Sequence, residues 1–497
     1  MPPKLQGIPE TGRKRCADPA VEPTAQEDQK ESEEEPVIKK QSVPKNVEKG
    51  SPPSSDESDD ELSDEEDSDQ FEESDHTDSD TAEAEVVSRM QNSSNNVPSV
   101  PVAAGKSQEK DPKGRARRMH RFRSRNLKTV IHNDDPNREP YYFAGMSVNL
   151  ERNGFNALLH IAGQTETLAW EDLPKGSMDE KTLKKLGEDL HGDVYSTMWN
   201  GIPVTIKVVP FEESDDTRKY IGQYNEGRMP TADVILPELL IMKELSDLNN
   251  LDLHNATPAF INLVSPIVVR GPCPSGICEA WNKYADLKTS LNTSPNAYSS
   301  DDQLFMLFVT KNGGIALEEF KLESEDEISS ILLQLLMAMT VAENALNFEH
   351  RDLHLGNVLI NRTGVEQVYC KIGGQPIVIQ AGGIKVNIID FTLSHIYKDG
   401  CAVFMDLEQD PGLFEGKGDP QYDVYRTMRE VTNGDWKKHS RKTNLLWIQF
   451  LGLQMLDNKA ICPRMSRDRK KFLRELFKTF SSYGSCVECV KKSGSEK

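Results

Sequence analysis

Residues 329–346 carry apolar side chains on most sides of a 3.6-residue helical repeat. A helix of that kind is stable only at the centre of a sizeable domain, with other elements packed around it. Its most apolar part, residues 331–342, is shorter than the roughly 20 residues of a membrane span and contains Gln334, so it reads as the buried helix of a soluble domain. Upstream, the β-branched run 204–209 (VTIKVV) and the apolar run 304–309 (LFMLFV) predict short strands. Residues 179–192 predict a helical start leading into a strand and turn, and residues 236–248 an amphipathic helix. Downstream, residues 368–389 alternate as strands punctuated by Gly373-Gly374 and Gly382-Gly383. Residues 423–428 and 445–456 return to helical spacing. A strand-rich first part followed by a helix-rich second part predicts an α+β fold of two lobes with a cleft between them.

The N-terminal quarter cannot build such a core. Residues 1–127 are rich in Pro, Ser, Glu, Asp and Lys and lack a periodic apolar pattern. Too little apolar surface is available there to offset the entropy of ordering, which predicts a long disordered tail and accounts for an overall hydrophobic fraction of only 36%. Order is expected to begin between residues 128 and 168. The net charge of -21 is concentrated, because residues 56–85 hold seventeen Asp or Glu and no Lys or Arg. Serines interleaved with these acids suit an acid-directed kinase, and phosphorylation would deepen the charge; a solvating spacer is the plainer reading. Residues 113–125 (KGRARRMHRFRSR) and 12–15 form basic clusters suited to nuclear import, to nucleic-acid phosphate, or to folding back on the acidic tract. The N-terminal stretch has no apolar signal-peptide core, and the eight cysteines show no framework spacing, which predicts free thiols in a reducing compartment. Cys486 and Cys489 form a lone CxxC, read as incidental rather than as a zinc or redox site.

The residues that carry chemistry lie in His350-Arg351-Asp352-Leu353-His354-Leu355-Gly356-Asn357, and in an apolar strand, 386–389, that runs into Asp390-Phe391-Thr392. Phosphoryl transfer needs a carboxylate within hydrogen-bond reach of the attacking hydroxyl, and oxygen ligands for Mg²⁺ on the ATP phosphates. Asp352 fits the first role as catalytic base; Asn357 and Asp390 fit the second, with the oxygen donors that this hard cation prefers. An H-R-D-x-x-x-x-N match alone is weak, but a later strand ending in Asp-Phe makes it the pattern of protein kinases. Upstream, Val204-Thr205-Ile206-Lys207 resembles the kinase V-A-I-K strand. A Lys centred in an apolar strand needs a partner. Glu238 is the candidate, holding Lys207 on the α- and β-phosphates, although a carboxylate at the head of a helix also has a local reason to be there. Residues 187–194 (GEDLHGDV) stand at the interval of a phosphate-covering loop, with Gly187, Gly192 and Val194 against the nucleotide. Asp189 occupies the middle glycine position; a carboxylate there either turns outward or weakens nucleotide binding.

Together these stretches resemble haspin, the family of atypical protein kinases that phosphorylates histone H3 at the threonine third from its N-terminus. The resemblance spans about residues 184–456 and is carried by 348–359 (FEHRDLHLGNVL), 388–394 (IDFTLS after Ile388) and 413–426 (LFEGKGDPQYDVYR), with support at 235–246, 301–305, 313–314 and 317–318. Three family features are present: His354 replaces the Lys two residues past the base, Asp390-Phe391-Thr392 replaces Asp-Phe-Gly, and no Ala-Pro-Glu follows. Thr392 in that triplet should stiffen the backbone, since β-branched residues avoid the positive φ open to Gly. The resemblance implies a bilobal protein-kinase fold. It comprises the tail 1–127, an N-terminal extension 128–180 packing on the kinase, a β-rich N-lobe 181–310, a helical C-lobe 311–480 and a flexible tail 481–497. It also implies activity without activation-loop phosphorylation. Adenine would be bound by the backbone of 310–313, including Lys311 and Gly313. Asp423 would anchor the catalytic loop, with His350 structural and Arg351 part of the catalytic set. His354 would stand beside the acceptor threonine, and Asp406 and Asp410 would face the basic histone tail. The chain departs from the family at Leu355, where Trp is usual, at Ala316 and Gly412, where acids are usual, and in the polar hinge residues Lys311 and Asn312.

The expectation is therefore an ATP- and Mg²⁺-dependent serine/threonine kinase for the histone H3 N-terminal tail. It would be a nuclear monomer found on chromosomes in mitosis, with chromatin as partner and no membrane, and its N-terminal serines would be open to acid-directed or mitotic kinases. A pseudokinase or chromatin-associated scaffold, suggested by Asp189 and the missing acids, competes with it. A small-molecule kinase on the same core is a third expectation.

Overall fold

The structure, a computed structural model, describes residues 129–133, 141–143, 146–148, 154–189, 191–213, 224–225 and 227–494. The acidic tract and both basic clusters lie outside the described residues.

The described chain opens with β1 (Thr129–Asn133), the paired β2 (Tyr141–Phe143) and β3 (Met146–Val148), and helix α1 (Gly154–Ile161). Six strands then form the sheet of the first lobe: β4 (Leu168–Ala169), β5 (Lys184–Glu188), β6 (Asp193–Trp199), β7 (Ile202–Phe211), β8 (Leu263–Arg270) and β9 (Leu304–Lys311). Their spatial order is β4-β8-β9-β7-β6-β5. Strand β9 shows why an unbroken apolar run can still be a strand. Leu304, Met306 and Phe308 enter the main core on one face, and Phe305, Leu307 and Val309 enter a second core on the other. Helix α2 (Ala232–Asp247) lies between β7 and β8 in sequence, and α3 (Ser275–Leu287) between β8 and β9. Helix α2 begins at Ala232, earlier than its apolar spacing suggested, so Pro237 lies in its interior rather than in its first turn. An apolar flank buried against the sheet and α1 sustains the helix despite the missing N–H.

The second lobe is built around α4 (Glu325–Leu346), in which every residue from Glu327 to Glu343 is buried. Ser324 caps its first turn by accepting the Glu327 N–H at 3.3 Å, and Asn347 ends it in the left-handed conformation, φ 47°. This is the helix among the described residues long and apolar enough to cross a membrane, and 89% of its apolar window is buried inside the protein. Short strand β10 (Ile315–Ala316) precedes it. After it come β11 (Val358–Arg362), β12 (Gln367–Ile372), β13 (Gln375–Gln380), β14 (Ile384–Ile388), β15 (His395–Lys398) and β16 (Cys401–Met405). Gly373 and Gly374, with φ 58° and 79°, make the two-residue turn between β12 and β13. Strands β10, β11 and β14 form one small sheet; β1, β16 and β15 form another. Helices α5 (Gly412–Glu415), α6 (Gln421–Thr432), α7 (Lys442–Asp457), α8 (Arg467–Lys478) and α9 (Cys486–Gly494) complete the lobe.

Within the expected flexible tail at 481–497, the described residues as far as 494 are instead ordered, with helix α9 over Cys486–Gly494. Cys486 and Cys489 are buried, and the carboxylate of Glu343 on α4 accepts the N–H groups of Cys486 and Val487 at 3.4 and 3.3 Å. A buried carboxylate against the positive end of a helix docks it, and the CxxC spacing supplies its apolar stripe.

Candidate active site

Strand β7 places Lys207 directly across from Val194 of β6, so both side chains lie on one face of the sheet. Lys207 Nζ is 2.6 Å from Glu238 Oε1 on α2 and 2.5 Å from Asp189 Oδ2. Asp189 therefore does not turn outward at the middle glycine position. Its Oδ1 accepts the His191 and Gly192 N–H groups at 2.9 and 2.7 Å, forming the turn, while its Oδ2 grips the lysine. Burial alone would lower the Lys207 ammonium, but the charges of Asp189, Glu238 and Asp390 outweigh it and hold it well above the usual lysine range. Burial pushes the Glu238 carboxyl up to about 7 against the pull of Lys207.

The tip of the Gly-rich hairpin is fastened by residues that sequence patterns did not single out. Asn292, on the connection after α3, has its amide nitrogen 3.1 Å from the carbonyls of Asp189 and Gly192 and from Asp193 Oδ1. Leu291 N–H donates to Glu188 Oε1 at 2.7 Å. The side chain of Lys185, fully buried, pairs with Glu188 at 2.8 Å and Asp193 at 2.7 Å between the rings of Trp281 and Tyr284. Gly192 is required for a steric reason, since a Cβ there would sit 2.5 Å from the Val208 carbonyl. Gly187 pairs with Val194 across the hairpin.

Across the cleft, β11 and β14 are paired with Val358 opposite Ile388, which brings Asn357 and Asp390 to the same end of that ladder. Ile389 N–H donates to the Asn357 carbonyl at 3.1 Å. The Asn357 Nδ2 donates to the Asp352 carbonyl at 2.9 Å, so its Oδ1 is the atom that can meet a cation. Arg351 and Asp390 both adopt φ 64°, a left-handed backbone that costs free energy in a non-glycine residue and marks functional loops. Surrounding contacts hold them there. The neutral ring of His350 accepts the Asp352 N–H through Nδ1 at 3.3 Å and reaches the Ile389 carbonyl through Nε2 at 3.1 Å; burial pulls its pKa down to about 4. Asn444 of α7 accepts the His350 N–H and donates to the Phe348 carbonyl. Phe391 packs inward against Phe260, Phe348 and His350 and thereby aims Asp390 at the cleft. Asp390 acts electrostatically on both Lys207 and Glu238, which joins the two sides into one site.

Arg351 is fully buried, bonded at 3.0 Å to the equally buried Glu349, and lies over the Trp436 ring. Glu349 is completed by Ser440 N–H at 2.8 Å and Thr443 Oγ1 at 2.7 Å. His354 accepts the Gly356 N–H through Nδ1, which leaves its proton on Nε2, 3.9 Å from Asp352 Oδ2.

Several expected positions differ. Asp423 does not hold the catalytic loop. It is exposed on α6 and pairs with Arg426 at 2.5 Å, while Asn444 does the anchoring; Tyr422, Tyr425 and Met428 form the buried face of α6, which leaves Asp423 on the solvent side. Asp410 is 6% exposed, accepts the Gly412 N–H, and its Oδ2 is buried without a hydrogen-bond partner, so it is not displayed to a peptide. Asp406 remains half-buried and caps the turn at Glu408. Thr392 stays out of the positive-φ region that a β-branched residue avoids, and the left-handed residue of the triplet is Asp390. In the hinge, Lys311 N–H donates to the Asn262 carbonyl and the Gly313 carbonyl accepts from Asn387, while a Cβ on Gly313 would meet Leu359 at 2.6 Å.

Comparison with known proteins places this geometry among relatives. A family model described as the haspin-like kinase domain matches residues 149–493. The chain is 36% identical over 316 residues to serine/threonine-protein kinase haspin of Bos taurus, covering 62% of this chain and 39% of that protein. It is 33% identical over 317 residues to the haspin homolog of Drosophila melanogaster, covering 61% and 54%, and 32% identical over 336 residues to that of Arabidopsis thaliana, covering 67% and 54%. The matched region thus spans about two fifths to just over half of these relatives.

Proposed function

The chain belongs to the haspin-like kinase domain family, and on that premise we propose that it transfers the γ-phosphate of ATP to a threonine near the N-terminus of histone H3. The observation that carries this reading is the convergence of Asp352, Asn357 and Asp390 opposite the Lys207–Glu238 pair. ATP lies under the Gly-rich hairpin, with Lys207 exchanging Asp189 for the α- and β-phosphates and the backbone of 310–313 meeting the base. Asn357 and Asp390 fit Mg²⁺ by their oxygen donors and adjacency, and the ion neutralises phosphate charge when bound. Asp352 accepts the proton of the threonine hydroxyl, beside His354. Asp406 is the acid of the expected pair left accessible to a basic tail.

The fold also supports activity without a phosphorylated loop. Arg351 already has its counter-charge in Glu349. The chain after Thr392 runs straight into the β15–β16 hairpin, where Lys398 Nζ binds Glu244 of α2 at 2.9 Å and ties down the helix that presents Glu238. On this reading the protein works as a nuclear monomer on mitotic chromosomes.

A peptide array of histone tails tests the assignment. Wild type phosphorylates the H3 N-terminal peptide, replacing one threonine removes the signal, and Asp352→Ala lowers turnover by about two to four orders of magnitude. Wild-type turnover in Asp352→Ala would remove Asp352 from the role of base. The Asp189–Lys207 contact favours the scaffold alternative, and a thermal-shift titration with Mg-ATP separates the two. No shift together with no transfer selects the scaffold.

A further inference from the structure

Tyr425 lies on the buried face of α6 with Tyr422 and Met428, three residues to either side, a spacing that on its own means core packing. Its hydroxyl has a more specific destination. The phenolic oxygen is 2.5 Å from Asp352 Oδ1, across seventy-three residues of sequence. The ring is 2% exposed and held edge-on against buried Trp447, with centroids 5.3 Å apart. The other carboxylate oxygen, Oδ2, lies on the side of His354, and the Asp352 side chain is 19% exposed.

We propose that Tyr425 is a positioning residue for the catalytic base: its O–H occupies Asp352 Oδ1 and so fixes the carboxylate with Oδ2 toward the acceptor hydroxyl. This rests on Asp352 being the base. In the step it serves, the acceptor O–H bond breaks and its proton passes to Oδ2. The hydroxyl oxygen bonds the γ-phosphorus, and the bond from that phosphorus to the ADP oxygen breaks. A carboxylate free to rotate about its Cβ–Cγ bond would present either oxygen, in any orientation, to a hydroxyl that must arrive in line. A phenol suits the task because it donates without carrying charge. Burial, then the Asp352 charge beside it, holds Tyr425 well above the usual phenol range, so the donor keeps its proton. His350 and Asn357 address the Asp352 backbone, and His354 Nε2 stands 3.9 Å away on the other oxygen.

The test is a double-mutant cycle in the full chain, read as steady-state phosphorylation of a histone H3 N-terminal peptide. A hydrogen bond to a charged group of this kind is worth roughly ten- to a hundred-fold in rate, so Tyr425→Phe lowers kcat by about that factor and leaves KM for ATP within about twofold. In an Asp352→Ala background the same change has no further effect, because the phenol has lost the group through which it acts. A Mg-ATP thermal shift equal to wild type shows that Tyr425→Phe is folded. The proposal is overturned if Tyr425→Phe keeps kcat within twofold of wild type, or if it costs the same factor in both backgrounds, which would make Tyr425 a packing residue. A wild-type rate in Asp352→Ala instead removes Asp352 from the role of base, and no turnover by wild type overturns the histone H3 kinase reading beneath it.

Discussion

Two hairpins border the cleft, and they are held by opposite means. The Gly-rich hairpin of β5 and β6 is fastened at its tip by polar side chains: Asp189 on Lys207 and on its own turn, Asn292 on two carbonyls, and Lys185 between Glu188 and Asp193. The β15–β16 hairpin, which follows Asp390, is fastened by burial. All five residues of β16 are buried, and β1 covers its outer edge over Thr129 to Asn133. A polar contact can be exchanged for a phosphate oxygen at modest cost, whereas an apolar strand cannot leave its place without exposing core. The contrast separates two properties. On the proposed reading, nucleotide affinity depends on the first hairpin, where contacts are exchangeable, and readiness for catalysis on the second, whose inner strand is buried throughout.

The largest test addresses the second hairpin. Phe404→Ala, at a buried β16 position, costs about 3–5 kcal/mol of stability. Denaturant unfolding should show an earlier midpoint, with activity lost in parallel because Asp390 and α2 lose their support. An unchanged midpoint would erase the contrast. Next, Gly192→Ala forces a methyl group against the Val208 carbonyl and costs about 1–3 kcal/mol. Because the strain sits in the phosphate-covering turn, it should appear as a raised KM for ATP together with a fall in the unfolding midpoint smaller than that of Phe404→Ala. A fall in the midpoint without a change in KM would mean that both hairpins serve stability alone. The smallest effect belongs to Asp189→Gly. Removing the carboxylate that a phosphate must displace from Lys207 should lower KM for ATP by about three- to tenfold, near 1 kcal/mol. A rise in KM would show that the turn built by Asp189 matters more than its competition for the lysine.

The linear motifs were readable because phosphoryl transfer constrains residue type at short spacing. Lys207, Asp352, Asn357 and Asp390 stand in local patterns, and Glu238 follows from the cost of burying a lysine unpaired. Asn292 and Asn444 lie in no motif, and Tyr425 and Glu349 lie inside the resembling stretches without a legible role, since each acts through contacts that form only on folding. Asp423 and Asp410 misled for the converse reason: an acid in the right segment says nothing about which way its side chain points.

Alternating and helical apolar spacing determined, without help, that a sheet-rich part would precede a helix-rich part with α4 at the centre, because periodicity and burial are local properties of a chain. Only the tertiary structure decided where Asp189 points, that residues 486–494 dock as a helix on Glu343, and which oxygen of Asp352 is held by Tyr425. Those outcomes depend on hydrogen bonds between segments far apart in sequence, and directional contacts of that kind exist only once packing has brought donor and acceptor together.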